Sequence, residues 1–176
     1  MVKLLVFLGN PGKLYEKTRH NAGWILSDYL YPDVSWSEKF HAQTAVAEGF
    51  RLLKPQTYMN ESGKSVRACS DFFNYTAQEI LVVHDDLELP FGTIRLQKGG
   101  GLQGHNGLKS IKQHLGDDLF YRLRIGIGRP QRGSVASYVL LPFDKEEAPL
   151  LPFVLQRAKA FLQGDFNALP LTDTLG

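Results

Sequence analysis

The chain has 176 residues, of which 43% are hydrophobic and 11% aromatic, a composition that fits one folded domain and excludes a disordered chain. The net charge is only +2, and the single cysteine excludes an internal disulfide framework or a metal cluster held by several thiolates of one chain. No signal segment is recognisable and the apolar runs are too short to span a bilayer, so we expect a cytoplasmic protein with no membrane partner.

The first half of the chain alternates apolar runs with turn sequences. Apolar segments predict strands at 4–8, 43–48 and 50–54, the last two as a hairpin. Apolar positions at helical spacing predict helices over 24–30 and after Asn60, which is the predicted N-cap of the second helix. Residues 33–42 have the composition of a loop.

The second half continues the same alternation. Strands are predicted at 80–83, 92–98, 121–126 and 135–141. A glycine-rich loop over 99–107 leads into a helix that Gly116 closes. Asp144-x-x-Glu147 resembles a capping box at the start of a helical region over 143–164, and residues 170–176 have few anchors and predict a mobile tail.

This alternation determines the predicted fold class. The strands are apolar throughout, which is typical of a parallel sheet covered by helices on both faces, and the hairpin makes the sheet mixed. We therefore predict a single α/β domain over residues 1–176, with a twisted, mixed, mostly parallel β-sheet and helices on both faces.

Charge is unevenly distributed along the chain. Residues 95–132 carry eight basic and two acidic side chains, a net charge of +6 in a nearly neutral protein. Such a stretch indicates a phosphate-bearing partner, although an ordinary solvated surface can have the same composition.

His20 is the predicted centre of the site. It follows the turn Gly9-Asn10-Pro11-Gly12 after the first buried strand, and ligands of open α/β sheets bind at the carboxyl ends of such strands. Asp85 follows another buried strand. A carboxylate bonded to one imidazole nitrogen raises the basicity of the other, so His20 with Asp85 predicts a general base, unless Asp85 only caps a turn.

The attacking group is predicted to be water. Gly-x-Ser-x-Gly is absent, and Cys69 lies on the apolar face of a helix, where a structural thiol is expected. His20, His84, Asp85 and His105 offer metal ligands, but no His-Glu-x-x-His sequence or close histidine pair occurs, so we expect no metal and no cofactor. Gly99-x-Gly101-x-x-Gly104 matches the dinucleotide fingerprint outside the first βαβ unit, which leaves a nucleotide-dependent oxidoreductase as a weak alternative.

Three asparagines, Asn10, Asn60 and Asn106, lie at turns or helix starts beside the predicted site. A side-chain amide can donate to an oxyanion and accept from a peptide N–H. A single asparagine at such a position is more often a cap. Three of them around one histidine favour a binding function.

Several sequence motifs occur in order over roughly residues 3–145: Gly-Asn-Pro-Gly, Thr-Arg-His-Asn-Ala-Gly, Tyr-Met-Asn, His-Asp-Asp-Leu, Gly-His-Asn-Gly-Leu-Lys and Arg-Leu-Arg-Ile-Gly-Ile-Gly-Arg-Pro. With these motifs the chain closely resembles the bacterial peptidyl-tRNA hydrolases. The resemblance implies a monomeric, metal-free esterase that needs no protein partner and frees tRNA from peptidyl-tRNA released by stalled ribosomes.

The resemblance also implies roles for individual residues. His20 corresponds to the general base, Asp85 to its partner, and Asn10 to the residue that distinguishes peptidyl from free aminoacyl ends. The implied substrate contacts are Tyr15 and Tyr58 for the tRNA 3′ end, Asn60 and Asn106 for the peptide backbone or the attacking water, and Arg95 and Arg124 for the tRNA 5′-phosphate.

The chain departs from the family pattern at Tyr58, where phenylalanine is more usual, at Leu102-Gln103, which predicts a narrower peptide channel, and at Gln97, which replaces a frequent lysine and predicts weaker tRNA contacts. The family also implies that the 143–164 region covers the site. A catalytically silent RNA-binding module of the same fold is the alternative function, against which the intact His20–Asp85 pair argues.

Overall fold

The computed structural model describes residues 1–176. Its eight strands are β1 (Leu4–Phe7), β2 (Ser37–Lys39), β3 (Ala42–Ala47), β4 (Phe50–Pro55), β5 (Ile80–Asp86), β6 (Thr93–Lys98), β7 (Tyr121–Gly126) and β8 (Leu171–Thr174). Its five α-helices are α1 (Ala22–Leu30), α2 (Ser62–Phe73), α3 (Asn106–Leu115), α4 (Val135–Val139) and α5 (Leu151–Gln163). None of the helices combines the length and hydropathy of a membrane-spanning segment.

All eight strands form one sheet, in the order β2-β3-β4-β1-β5-β7-β6-β8. The four central strands, β4, β1, β5 and β7, are parallel to one another. The strands on either side of them pair antiparallel. This confirms the predicted α/β fold with a mixed sheet. Because β1 and β5 are parallel neighbours, the segments that follow them leave the sheet at the same edge.

Helices cover both faces of the sheet, as predicted. On one face, α1 and α5 pack on the side chains of alternate strand residues such as Phe7 and Val83. On the other face, α2 and α3 pack on the intervening residues, such as Val82. Cys69 is buried in this second layer, and burial raises the pKa of its thiol to about 11, so it is no nucleophile.

Residues 135–141 form no strand; the prediction for this segment is wrong. Val135–Val139 is helix α4, which begins at Ser134, whose hydroxyl accepts the Ser137 N–H at 3.1 Å. Both edges of β7 are already paired, with β5 and β6, so this apolar segment has no neighbouring ladder to join there.

Two segments predicted to lack structure belong to the sheet. Ser37–Lys39, within the predicted loop, pairs with β3 as the edge strand β2. In place of a free tail, Leu171–Thr174 forms β8 against β6, and an Arg157–Asp173 ion pair at 2.8 Å ties β8 to α5. Strand pairing over such sequence distances is decided by the sheet edge that is available, which local composition does not encode.

Candidate active site

Asn10 is held at the carboxyl end of β1 by three hydrogen bonds. Its backbone N–H donates to Asn21 Oδ1 at 2.9 Å, and its carbonyl accepts from Asn21 Nδ2 at 3.0 Å. Its side-chain Oδ1 accepts the Met59 N–H at 2.7 Å. Asn10 thus joins the turn after β1 to the turn before α2, and its Nδ2 group makes no hydrogen bond within the protein.

His20 and Asp85 form the predicted pair. His20 Nδ1 lies 2.8 Å from Asp85 Oδ2 and 3.0 Å from Oδ1. Asp85 is the penultimate residue of β5. His20 follows β1, and β1 and β5 are parallel neighbours, which explains how two residues 65 positions apart meet. An ionised carboxylate can only accept, so Nδ1 carries the proton and Nε2 keeps its lone pair free for a substrate proton.

A second imidazole also binds Asp85. His105 Nε2 lies 2.9 Å from Asp85 Oδ1, while its Nδ1 accepts the N–H groups of Gly107 and Leu108 at the start of α3. Because Nδ1 is an acceptor in both bonds, the His105 proton sits on Nε2 and is donated to Asp85. The buried Asp85 carboxylate therefore receives hydrogen bonds from two histidines.

These contacts set the charge of the pair. Burial opposes ionisation of His20, but attraction to Asp85 and the hydrogen bond between them outweigh it, so the pKa of His20 is raised. Burial likewise favours protonation of Asp85, yet the two imidazoles hold its pKa well below the ordinary range. Asp85 consequently stays ionised while His20 titrates above its ordinary value.

His84 is a neutral neighbour of the pair. Its Nδ1–H donates to the Asp85 carbonyl at 2.8 Å. Burial, followed by repulsion from His105, lowers the pKa of His84 to about 4. His84 is therefore uncharged near neutral pH and adds no positive charge that would compete with His20 for Asp85.

The histidines open into a cavity of about 320 Å³. Its polar side carries His20, Asp85 and Asn106, the last at the N-terminus of α3. Its apolar side chains come from Leu87, Leu102, Val135, Ala136 and Val139. The wall expected from the 143–164 region comes from α4 instead, because α5 packs on the far face against α1 and β6.

The predicted substrate residues are distributed around this cavity. Asn106 lines it, whereas Tyr58 and Asn60 are exposed on the turn before α2, and Tyr15 is half-buried in the turn after β1. Asn60 does not cap α2: Glu61 occupies the capping position, and no side chain makes a capping bond there. The prediction of an Asn60 cap is wrong, which leaves its amide exposed to solvent.

Arg95 and Arg124 lie directly opposite each other on β6 and β7. Gln97 Oε1 accepts from both, at 3.0 Å from Arg95 Nε and 2.9 Å from Arg124 Nη1. Arg124 Nε also donates to Asp86 at 2.6 Å, and Arg95 Nη1 to Thr172 of β8 at 2.7 Å. Gln97, expected only to weaken tRNA contacts, thus holds the two guanidinium groups side by side.

Part of the basic stretch is engaged in hydrogen bonds and ion pairs within the protein. The Arg122 side chain is buried and donates to the carbonyls of Gly100, Gly101 and Asp118, so it supports the glycine-rich loop. Arg129 is paired with Glu88 and Lys112 with Asp118. The charge offered to a partner is therefore smaller than the sequence count implies.

The sequence profile described as peptidyl-tRNA hydrolase matches residues 4–168. The chain belongs to the peptidyl-tRNA hydrolase family. Peptidyl-tRNA hydrolase of Treponema pallidum is 53% identical over 162 residues, covering 86% of this chain and 80% of the relative. That of Sorangium cellulosum is 50% identical over 165 residues, covering 88% of this chain and 74% of the relative.

Solved peptidyl-tRNA hydrolases share the fold. The crystal structure of the Acinetobacter baumannii protein has a TM-score of 0.80 and 40% identity, covering 93% of this chain and 89% of the other. A peptidyl-tRNA hydrolase solved in complex with N-propanol has a TM-score of 0.82 and 39% identity, covering 92% and 89%. These matches confirm the predicted family and fold, support an enzyme that hydrolyses peptidyl-tRNA, and do not favour the silent RNA-binding alternative.

The glycine-rich loop is part of the cavity of this family member, since Leu102 and Gly104 line it, and no dinucleotide site in a first βαβ unit accompanies the loop. Reasoning from sequence also missed His105 as a second partner of Asp85 and Asn21 as the residue that holds Asn10. The available signal for His105 was its position directly before a predicted helix. A histidine that caps a helix accepts backbone N–H groups with one nitrogen, which leaves the proton on the other nitrogen for donation.

Proposed function

We propose that this protein hydrolyses the ester bond between a peptide, or an N-blocked aminoacyl group, and tRNA, and so recycles tRNA from peptidyl-tRNA released by stalled ribosomes. The observation that carries the proposal is the hydrogen-bonded His20–Asp85 pair in the lining of a cavity, within the fold of the peptidyl-tRNA hydrolase family.

In the proposed mechanism, water attacks the ester carbonyl. His20 Nε2 removes a proton from the water, and the Asp85 carboxylate stabilises the imidazolium that forms. The tetrahedral intermediate then collapses, the bond from the carbonyl carbon to the ribose oxygen breaks, and His20 returns the proton to that oxygen. An asparagine amide or a backbone N–H holds the oxyanion.

Asn10 is the proposed discriminator of substrates. Its Oδ1 is engaged by the Met59 N–H, so the group left for substrate is the Nδ2 donor. An N-blocked substrate presents an additional amide carbonyl, which this donor recognises, whereas a free aminoacyl end presents an ammonium that an N–H donor repels.

The remaining contacts follow the family pattern. We propose that Tyr15 and Tyr58 contact the 3′ end of tRNA, and that Asn60 and Asn106 bind the peptide backbone or the attacking water. Arg95 and Arg124 would bind the 5′-phosphate between them. Their shared hydrogen-bond acceptor, Gln97, supports this role, since it holds the two guanidinium groups together and paired guanidinium groups suit bidentate recognition of phosphate oxygens.

A metal is not part of the proposed mechanism. His20, Asp85 and His105 have potential ligand atoms within 4.8 Å of one another. However, a cation among them would displace the hydrogen bonds that fix both tautomers and make His20 basic. We also propose that the protein acts in the cytoplasm as a monomer with no cofactor and no required protein partner; light scattering after size exclusion tests the monomer.

The test is to incubate the protein with an N-acetyl-aminoacyl-tRNA and with its unacetylated counterpart, first without added metal and then with a chelator. We expect release of tRNA from the acetylated substrate only, at a rate that the chelator does not change. Binding of tRNA without release would support the RNA-binding module instead, and inhibition by the chelator would contradict the metal-free mechanism.

A further inference from the structure

Arg19, immediately before the proposed base, is one of the two largest fully buried side chains of the protein. Its guanidinium carbon lies 4.0 Å from the centre of the Tyr138 ring, and Nη1 donates to the carbonyls of Tyr138 at 3.3 Å and Leu141 at 3.5 Å. A charge this deeply buried is costly unless it is well paired, and the proposed mechanism gives Arg19 no task.

Arg19 also binds two carboxylates further along the same segment. Its Nη2 donates to Asp144 at 2.9 Å and to Glu147 at 3.4 Å. Glu147 in turn accepts the Asp144 backbone N–H at 2.9 Å. One guanidinium group therefore fastens residues 138–147, the stretch that begins at the end of α4 and leads towards α5.

Helix α4 has few other anchors. It is five residues long, and isolated helices of this length are unstable in water. Only Val139 of α4 is buried, and the Tyr138 hydroxyl ties the helix to the segment after β7 by donating to the Ile127 carbonyl at 2.6 Å. The segment directly after α4 is also held by backbone contacts, since the Arg19 N–H donates to the Leu141 carbonyl at 3.0 Å and Thr18 forms a bridge with Pro142. The Arg19 side chain is therefore one of a small number of contacts that hold α4 in place, and it makes the largest share of the side-chain contacts.

Helix α4 also supplies Val135, Ala136 and Val139 to the cavity that His20 lines. We propose that Arg19 is a positioning residue, which holds α4 as an apolar wall of this cavity, where the acyl group would bind, and so favours substrates with an apolar side chain next to the ester. This inference rests on the proposed hydrolase function. Arg19 is adjacent to the proposed base, and its partners lie at the end of α4 and directly after it.

The test uses Arg19→Lys and one tRNA body that carries either N-acetyl-leucine or N-acetyl-glycine. Lysine keeps the charge but cannot donate in several directions from one plane or stack on Tyr138. We expect kcat/KM for the leucine ester to fall by about tenfold, through KM, since small apolar contacts discriminate on that scale. The kcat/KM for the glycine ester and the inflection of the pH profile should change little, because neither depends on the apolar side chains of α4.

Two further variants guard against a general loss of structure. Asp144→Asn removes the negative charge of one partner of Arg19, so that only a neutral hydrogen bond can remain, and it should reproduce the leucine-specific loss in weaker form. Arg157→Lys makes the same change at a more exposed arginine, which pairs with Asp173 away from the cavity, and should leave both substrates unaffected. If Arg19→Lys does not fold, Asp144→Asn decides.

Hydrogen exchange in the free protein gives a readout independent of catalysis. The amides of residues 135–141 should exchange faster in Arg19→Lys than in the parent, while those of β1 and β5 keep their protection. Equal losses on both esters, or unchanged exchange over α4, would overturn the inference. If the parent protein hydrolyses neither ester, the proposed function fails, and the exchange result still decides whether Arg19 holds α4.

Discussion

At the scale of single residues, the site depends on which nitrogen of each histidine carries the proton. The Asp85 carboxylate receives Nδ1–H of His20 and Nε2–H of His105, and this leaves His20 Nε2 as the free base at the cavity. His84 and His105 lie close by, but both nitrogens of His105 make hydrogen bonds within the protein, and His84 has one nitrogen hydrogen-bonded and the other buried. His20 alone is therefore placed to accept a substrate proton.

The first prediction concerns His20→Ala. Removing a general base typically lowers the rate by about 10²–10⁴-fold, whereas tRNA binding should persist because the proposed phosphate contacts lie elsewhere. Single-turnover hydrolysis and filter binding measure the two effects. His114→Gln removes an imidazole from the opposite end of α3 and serves as the control. Loss of tRNA binding in His20→Ala would contradict the assignment.

The second prediction concerns pH. The base acts when neutral, and its pKa is raised mainly by Asp85 against the effect of burial, so kcat/KM should rise with pH to a plateau whose inflection lies above the ordinary histidine value. Asp85→Asn removes the attraction, so the inflection should move to lower pH while the plateau falls. An inflection that stays in place in Asp85→Asn would show that another group titrates.

At the scale of elements, the cavity depends on how closely α2 and α3 approach. Gly63 of α2 lies directly against Ser110 of α3: its N–H donates to the Ser110 hydroxyl at 2.9 Å, and a Cβ would overlap the Ser110 carbonyl oxygen. Since His105 and Asn106 lie at the N-terminus of α3, a shift of this helix against α2 would move both residues relative to Asp85.

The third prediction is that Gly63→Ala lowers the free energy of unfolding by about 1–3 kcal/mol, because overpacking outweighs the better helix propensity of alanine. Urea unfolding measures the change. Gly164→Ala is the matched control, since the nearest atom to its Cβ lies at 3.4 Å. A Gly63→Ala protein as stable as the parent would show that α2 and α3 can separate without cost.

At the scale of the whole molecule, the proposed phosphate site is a pair of arginines on two neighbouring strands of a nearly neutral chain. Arg95 and Arg124 of β6 and β7 are held together by Gln97, and β8 adds Thr172 as a further ligand of Arg95. Arg122, Arg129 and Lys112 are engaged within the protein, so we expect the Arg95–Arg124 pair to supply directed hydrogen bonds to the phosphate.

The fourth prediction is that Arg124→Ala raises KM for N-acetyl-aminoacyl-tRNA, leaves kcat nearly unchanged, and lowers the slope of log KM against log salt by about 1. A substrate without the 5′-phosphate provides the control: the parent protein should lose affinity for it, and Arg124→Ala should not distinguish it from the phosphorylated form. Equal sensitivity to the phosphate in both proteins would place the phosphate site elsewhere.

The sequence alone determined the fold class, the central strands and the family, and it predicted the pairing of His20 with Asp85, although capping by Asp85 stayed open until the structure showed the hydrogen bond. These depend on local signals, namely apolar runs that need burial and polar residues that follow strands ending at one sheet edge. Only the tertiary structure decided that 135–141 is a helix, that 171–174 is a strand, and that His105, Gln97 and Arg19 support the site. Arg19 meets Tyr138 across 119 positions, and such partners are set by the order of the strands and by the burial of charge, which no local pattern records.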